Sequence, residues 1–117
     1  MPGLTGYAGT VYLGQPLPGQ TFVVSACTGP VGSTAGQVAK HMGARVVGIA
    51  GSAEQCDYAV KEMGFDACVN YKEGDLAAAL KAACPRGIDV YFDNVAGDTL
   101  VAVLRNLAIG ARIVLCG

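Results

Sequence analysis

The sequence predicts a doubly wound α/β fold, in which helices cover both faces of a parallel sheet. Short apolar segments alternate with longer segments whose apolar residues recur at helical spacing. The short segments contain few polar residues, which is typical of parallel strands that are buried on both faces. Crossovers between such strands are right-handed, so few topologies remain.

The first elements lie on either side of a break rich in proline and glycine. Residues 3–13 are predicted as a short helix or turn, and residues 14–19 form the break. The first strand is predicted at 21–26, where the sequence TFVVSA has a β-rich composition. The chain therefore enters the sheet at about residue 21.

The remaining elements alternate between helix and strand. Residues 30–42 are predicted as a helix, because small and apolar side chains recur there at helical spacing and Gly43 marks the end. Ser52 is a predicted N-cap of the next helix, which Gly64 closes. The further predicted helices are 53–63, 75–83 and 98–107. The further predicted strands are 45–50, 66–71, 88–92 and 112–116.

The composition is that of one folded domain. Of the 117 residues, 52% are hydrophobic and 15% are charged, which argues against disorder. The net charge is −1 and the basic residues are scattered, so no surface for nucleic acid or for an acidic membrane is expected. No apolar run approaches the roughly 18 to 20 residues of a membrane span. Residues 1–12 lack the pattern of a signal peptide.

The cysteines predict buried, reduced thiols in a cytoplasmic protein. They are Cys27, Cys56, Cys68, Cys84 and Cys116. No Cys-x-x-Cys motif occurs and His41 is the only histidine, so no metal site is predicted. An odd number of cysteines among apolar neighbours favours thiols over a disulfide framework, which remains the alternative. His41, near the end of a predicted helix, is expected to have a surface or packing role and no catalytic one.

The turn between the first strand and the first helix is rich in glycine and marks the candidate ligand site. In a doubly wound sheet, ligands bind at the carboxyl ends of the strands, beside this turn. The dinucleotide fingerprint is Gly-x-Gly-x-x-Gly, and the residues that align with it are Cys27, Thr28, Gly29, Pro30, Val31 and Gly32. Cys27 replaces the first glycine, whereas Gly29 would let the backbone approach a pyrophosphate and Gly32 would let the helix pack on the strand. A tight turn without a ligand remains the alternative.

The end of the second strand favours a cofactor with a 2′-phosphate. NAD sites carry an acidic residue there that binds the ribose hydroxyls. Here residues 49–52 are Ile-Ala-Gly-Ser, and the first acid is Glu54. Without that carboxylate nothing repels a phosphate, and Ser52 and Tyr71 could each donate a hydrogen bond to it. The sequence therefore favours NADPH over NADH, and the same gap disfavours a methyltransferase that uses S-adenosylmethionine.

Several segments along the chain match the pattern of one protein family. The matching segments are MPGLTGYAG (1–9), the turn at 27–32, GQVAK (36–40), VVGIAGSAE (46–54), GFDACVNYK (64–72), IDVYFDNVAGD (88–98) and ARIVLCG (111–117). With them the sequence resembles the NADP-dependent medium-chain dehydrogenase/reductases. Within that family it is most similar to the zinc-free branch of leukotriene B4 dehydrogenases and prostaglandin reductases, to which bacterial enoyl- and curcumin-type reductases also belong.

The resemblance implies that residues 1–117 are an NAD(P)-binding Rossmann domain from a longer chain. The substrate-binding domain, the last strand of the sheet and a C-terminal return segment would then lie outside this sequence. The resemblance also implies a homodimer, since members of the family join their sheets edge to edge.

The resemblance also implies roles for individual residues. The turn from Thr28 to Gly32 would hold the pyrophosphate, and Tyr71 would touch the 2′-phosphate. Asn94 would lie near the ribose on the nicotinamide side, and Cys116 and Gly117 would begin the loop beside the nicotinamide. An ordinary aromatic residue at a strand end remains the alternative for Tyr71, and a turn former for Asn94.

Two positions depart from the family pattern. Gln55 stands where the family usually has a lysine, which would place a positive charge beside the 2′-phosphate. Gln55 can only form a hydrogen bond, so the preference for NADP is expected to be weaker. Ala96 stands where the family often has glycine, which would tighten the loop after Asn94.

The function implied by the resemblance is the reduction of activated carbon–carbon double bonds. Hydride would pass from the nicotinamide of NADPH to the β-carbon of an enone or enal, or to a quinone. No residue of this sequence is predicted as a general acid or base, so this domain would orient the cofactor and be inactive alone. The alternative is a non-catalytic nucleotide-sensing or interaction module on the same fold.

Overall fold

A five-stranded sheet forms the centre of the structure, a computed structural model that describes residues 19–25, 30–72, 74–93 and 102–115. The strands are β1 (Thr21–Ser25), β2 (Arg45–Ala50), β3 (Ala67–Asn70), β4 (Ile88–Asp93) and β5 (Leu107–Leu115). They lie in the order β3-β2-β1-β4-β5, and each pair of neighbours is parallel. The predicted parallel sheet is confirmed.

Helices cover both faces of this sheet. They are α1 (Pro30–His41), α2 (Ala53–Lys61) and α3 (Leu76–Ala83), and residues 102–104 form a further helical turn. On one face, side chains of α1 and α2 pack on alternate residues of the strands, among them Phe22, Val24, Val46 and Phe92. On the other face, Leu80 of α3 and Val103 pack on the intervening residues, among them Val23, Val47 and Tyr91. The doubly wound arrangement is therefore confirmed, and the alternation follows from the two-residue period of a strand.

The strand order changes direction at β1. From β1 the chain adds β2 and β3 on one side and then β4 and β5 on the other. In such a sheet the loops after the two central strands diverge to opposite faces, which opens a crevice at their carboxyl ends. The loops that follow β1 and β4 here, residues 26–29 and 94–101, lie outside the described residues.

The boundaries predicted near the end of the chain are wrong. A helix was expected over 98–107 and a strand over 112–116, but the described helical turn ends at residue 104 and β5 begins at Leu107. The register between β4 and β5 shifts, so that β5 advances from Leu107 to Arg112 while β4 advances from Ile88 to Val90. Such an irregularity accommodates extra residues in one strand and leaves no signal in the hydrophobic pattern.

Asn106 explains why the helical turn stops where it does. Its Nδ2 donates hydrogen bonds of 3.1 Å to the carbonyl oxygens of Ala77 and Ala102. Its own carbonyl oxygen accepts from the N–H of Ile88, which starts the pairing with β4. One side chain therefore ends the helix and ties it to α3.

The other boundaries lie within two residues of those predicted. α2 ends at Lys61 instead of residue 63. Asp75 is the N-cap of α3, because its Oδ1 accepts from the N–H groups of Ala77 and Ala78. The predicted helix or turn at 3–13 lies outside the described residues. Within the described ranges, no helix is long and apolar enough to cross a membrane.

The cysteines are less uniformly buried than predicted. Cys84 is buried at the end of α3, and this burial raises the pKa of its thiol to about 11. Cys56 and Cys68 are only half-buried, at the rim of the core beneath α2. Cys27 and Cys116 lie outside the described residues.

Candidate functional site

Three of the predicted site residues lie together at the carboxyl ends of β2 and β3. Ser52 and Gln55 belong to the cap and the first turn of α2, which follows β2, and Tyr71 directly follows β3. Pairing of Ala50 with Asn70 aligns the two strand ends. The N–H of Tyr71 then donates to the carbonyl oxygen of Ala50 at 3.0 Å. Residues that are nineteen positions apart in the sequence, Ser52 and Tyr71, are thus brought to one edge of the sheet.

Ser52 and Gln55 fix the start of α2. The Oγ of Ser52 accepts a hydrogen bond from the N–H of Gln55 at 3.2 Å. The Oε1 of Gln55 accepts from the N–H of Gly51 at 3.1 Å. This is a variant of the capping box, in which a glutamine at the third helical position reaches back towards the cap. Gln55 therefore has a structural role in capping α2 that was not predicted. The Ser-x-x-Gln spacing at residues 52–55 is the sequence pattern that indicates it.

Both of these capping bonds use acceptor atoms. They consume neither the hydroxyl hydrogen of Ser52 nor the amide hydrogens of Gln55. Gln55 is exposed and Ser52 is half-buried, so an anion can reach both donors from solvent. The cap thereby presents two neutral hydrogen-bond donors at the end of β2.

Tyr71 lies over the backbone of Gly51. A Cβ at position 51 would come within 3.2 Å of both Cε1 and the hydroxyl oxygen of Tyr71. Such an approach is tighter than ordinary van der Waals contact, so a side chain at residue 51 would require the ring to shift by a few tenths of an ångström. The ring is 43% exposed, and its hydroxyl adds a third donor beside the α2 cap.

Lys72 brings a positive charge to the same place, and the sequence analysis did not single it out. Its Nζ lies 5.8 Å from the centroid of the Tyr71 ring, within the range of a cation–π contact. Its N–H donates to the Oδ1 of Asn70 at 2.9 Å, which fixes the turn after β3. The signal was present in the Asn-Tyr-Lys segment, where a lysine follows the expected tyrosine.

The electrostatics of this edge suit an anion. The side chains that meet there are a serine, a glutamine, a tyrosine and a lysine: Ser52, Gln55, Tyr71 and Lys72. Glu54 is the acidic residue in the first turn of α2, and it is exposed. β2 itself ends in Ala50, so no carboxylate stands where NAD sites place one.

The start of α1 is the second part of the candidate site. Pro30, Val31 and Gly32 form the first turn of this helix, and Gly32 is buried. The first turn has no acidic residue, and its N–H groups have no partner within the helix. An anion at this end would therefore meet the positive end of the helix dipole. Thr28 and Gly29, predicted to form the rest of the cradle, lie outside the described residues.

Close packing holds α1 against the sheet and against the segment that precedes β3. Ala35 and Ala39 are fully buried in the core cluster beneath this helix. Gly36 faces Phe65, and a Cβ at position 36 would overlap the end of the Phe65 ring. At Gly36 the packing partner of α1 is therefore this ring.

Carboxylates gather at the opposite, amino edge of the sheet, where their role is structural. The Oδ2 of Asp66 accepts from the N–H of Val46 at 2.8 Å and lies 3.0 Å from Nζ of Lys40. Burial disfavours the charged form of Asp66, but these contacts outweigh it and lower the pKa of the carboxyl group. Asp89 likewise accepts from the N–H of Thr21 at 2.8 Å. These acids anchor strand starts and take no part in the candidate site.

The other predictions have mixed outcomes. His41 is exposed, as predicted, and lines a surface depression with Gln37, Lys40 and Met63 at the end of α1 that is remote from the site. Among the residues that the structure describes, no three His, Cys, Asp or Glu side chains are grouped as metal ligands would be. Asn94, Cys116 and Gly117 lie outside the described residues, as does Ala96.

Comparison with known proteins identifies relatives along the whole chain. The NADPH-dependent curcumin reductase of Escherichia coli (strain K12) is 51% identical over 117 residues, which are 100% of this chain and 34% of the relative. The 2-alkenal reductase (NADP(+)-dependent) of Nicotiana tabacum is 51% identical over 118 residues, again 100% of this chain and 34% of the relative. The chain thus spans about a third of the length of these relatives.

Solved structures agree with this comparison. CurA from Vibrio vulnificus in complex with NADPH superposes with a TM-score of 0.97 at 50% sequence identity, over 100% of this chain and 35% of that chain. A family model described as zinc-binding dehydrogenase matches residues 30–117. The resemblance to medium-chain dehydrogenase/reductases is confirmed, and the chain belongs to the zinc-binding dehydrogenase family.

Proposed function

We propose that this chain is the nucleotide-binding part of an NADPH-dependent oxidoreductase that reduces activated carbon–carbon double bonds. One observation carries the proposal: Ser52, Gln55 and Tyr71 converge beside Lys72 at an edge of the sheet where NAD sites have an acid. Hydroxyl, amide and ammonium donors without an acceptor carboxylate suit a phosphate monoester. Relatives that are 51% identical carry NADPH or NADP in their names.

We propose that residues of this chain hold the cofactor at three points. The start of α1, with Thr28, Gly29, Pro30, Val31 and Gly32, would hold the pyrophosphate. Ser52, Gln55 and Tyr71 would hold the 2′-phosphate. Asn94, Cys116 and Gly117 would line the nicotinamide end. Support comes from the helix start without acids and from the bare backbone at Gly51, which gives the Tyr71 ring its place.

The part that this chain plays in the reaction is orientation. When bound, the cofactor supplies the hydride that an enone, an enal or a quinone would accept at its electrophilic carbon or ring. The donors of this chain would hold the adenosine end of the cofactor, which is remote from the reacting carbon. The binding energy of such remote groups helps to position the nicotinamide end of the cofactor. The group that stabilises the enolate oxygen is expected outside residues 1–117.

The domain organisation and setting follow from the same proposal. Residues 1–117 would form the NAD(P)-binding Rossmann domain, and the remaining two thirds of a protein like the relatives would hold the substrate. We place the protein in the cytoplasm, because an odd number of cysteines among apolar neighbours favours thiols over a disulfide framework. We also propose a homodimer, in line with the edge-to-edge joining of sheets that the resemblance implies.

The test uses the intact protein encoded by the full reading frame. Calorimetric titration with NADPH and NADH should show tighter binding of NADPH, and NADPH consumption should require an added enone or enal. Binding of NADPH without reduction of any enone, enal or quinone would support the non-catalytic sensor instead. Absence of heat with either nucleotide would overturn the proposal altogether.

A further inference from the structure

Two thiols on different elements meet beneath α2. Cys56 lies in the first half of α2, and Cys68 lies in β3. Their Sγ atoms are 2.7 Å apart. Both side chains are half-buried, at the rim of the core cluster on the α1/α2 face, and can be reached by a small molecule from solvent. They are the one pair of cysteines in contact among the described residues.

The backbone holds the two sulfur atoms together. Gly48 of β2 pairs with Cys68, which fixes the position of that residue in the sheet. The Ser52 cap fixes the start of α2, four residues before Cys56. At the other end of α2, the N–H of Phe65 donates to the carbonyl oxygen of Ala59 at 3.1 Å and ties the helix to the connection that leads into β3. The separation of 2.7 Å therefore needs to shorten by only about 0.7 Å to reach the S–S bond length of about 2.0 Å.

We propose that Cys56 and Cys68 form a redox site that a peroxide converts to an intramolecular disulfide. One thiolate attacks the O–O bond of hydrogen peroxide, which gives a sulfenic acid and releases water after protonation. The second thiol attacks the sulfenic sulfur, forms the S–S bond and expels the sulfenic oxygen as a second water. Each sulfur loses one electron, and the peroxide gains two electrons and two protons. A thiol reductant reverses the step by exchange.

Metal binding and inert packing are the two alternative roles for the pair of thiols. A structural zinc site needs four ligands, and no group of three candidate ligands exists among the described residues. Inert packing describes Cys84 better, because that thiol is buried on the opposite face and its pKa is raised to about 11. Cys84 therefore serves as an internal control for the half-buried pair. The oxidation itself does not depend on the proposed function.

The experiment maps the disulfide in the intact protein. The reduced protein is treated with a small excess of hydrogen peroxide, blocked with iodoacetamide and digested with trypsin without reductant. Lys61 separates Cys56 from Cys68, so the two thiols fall on peptides 46–61 and 62–72, each with one cysteine. We expect a cross-linked pair of these two peptides that dithiothreitol releases, while Cys84 stays alkylatable.

Variants and stability provide the controls. Cys56→Ala and Cys68→Ala should each abolish the cross-link, whereas Cys84→Ala should leave it intact. Oxidation should raise the melting temperature of the wild-type protein by several degrees, because the disulfide restrains the unfolded chain, and should not raise that of Cys56→Ala. The proposal is overturned if iodoacetamide still modifies both thiols after peroxide treatment. It is also overturned if each thiol is overoxidised separately, or if either forms a disulfide with another cysteine. The peptide map of the oxidised wild-type protein tests the proposal even if a variant fails to fold.

Discussion

The ring of Tyr71 rests on Gly51, with its hydroxyl oxygen and Cε1 each 3.2 Å from the place a Cβ would occupy at position 51. This contact joins the end of β3 to the turn after β2, so that the tyrosine hydroxyl stands beside the Ser52 cap of α2. The position of the Tyr71 ring in the candidate site therefore depends on the absence of a side chain at residue 51.

Gly51→Ala should displace the Tyr71 ring and weaken NADPH binding. The new methyl group requires the ring to move by a few tenths of an ångström, which misplaces a hydrogen-bond donor to a charged group that is worth about 1.5 to 3 kcal/mol. We expect a several-fold higher Kd for NADPH by calorimetry and a nearly unchanged Kd for NADH. Gly51→Ala in a Tyr71→Ala background is the control, because no ring is left there to displace. Equal effects of Gly51→Ala on NADPH binding in the two backgrounds would contradict the role given to the Tyr71 ring.

Gln55→Lys should increase the preference for NADPH. The lysine adds a positive charge beside the 2′-phosphate but loses the acceptor for the N–H of Gly51. We expect a net gain of about 1 kcal/mol, or about five-fold, in NADPH affinity relative to NADH. Gln37→Lys is the matched control, because Gln37 is an exposed glutamine on α1 by the remote depression. A similar gain in both variants would mean that net charge alone is responsible.

Gly36→Ala should destabilise the fold although alanine is the better helix former. A Cβ there overlaps the ring of Phe65, which is only 3% exposed and cannot swing into solvent without leaving the core. We expect a loss of about 1 to 3 kcal/mol in unfolding free energy, measured by urea denaturation. In a Phe65→Leu background the cost should be smaller, because the ring is gone. An increase in stability from Gly36→Ala would show that the contact is loose.

Asp66→Asn should remove a pH-dependent part of the stability. The pKa of Asp66 is lowered in the folded protein, so its contribution is present above the unfolded pKa of about 3.9 and is lost as the pH falls through the folded value. The stability difference between wild type and Asp66→Asn should therefore be constant near neutral pH and shrink below about pH 4. Denaturation series at several pH values measure it. A stability difference that does not shrink on acidification would contradict this role of the Asp66 carboxylate.

The sequence predicted most of the architecture because parallel strands and crossover helices have strong patterns. The β1 to β4 strands and their helices follow from apolar runs, capping residues and glycine stops, of which Ser52 and Gly43 are examples. The end of the chain was predicted less well, because the register shift opposite Ile88 depends on pairing across the sheet. A helical turn and a strand with a register shift can have similar hydrophobic patterns in the sequence.

The candidate site was predicted in its residue types but not in its contacts. Ser52 and Tyr71 were expected near one phosphate, and the structure places both at the same edge. Two contacts were not predicted: the hydrogen bond that the Gly51 N–H donates to the Oε1 of Gln55, and the position of the Lys72 Nζ over the Tyr71 ring. Each depends on a side-chain rotamer, which a sequence pattern does not fix. The roles of Ser52, Gln55 and Tyr71 towards a cofactor stay predictions.

The most direct test of the central claim measures nucleotide selectivity in the Ser52→Ala/Tyr71→Phe double variant of the intact protein. The two substitutions delete the hydroxyl donors assigned to the 2′-phosphate and leave the start of α1 unchanged. We expect Kd for NADPH to rise about tenfold or more while Kd for NADH stays within about twofold. An unchanged ratio of the two constants, in a variant with the wild-type circular dichroism spectrum, would contradict it.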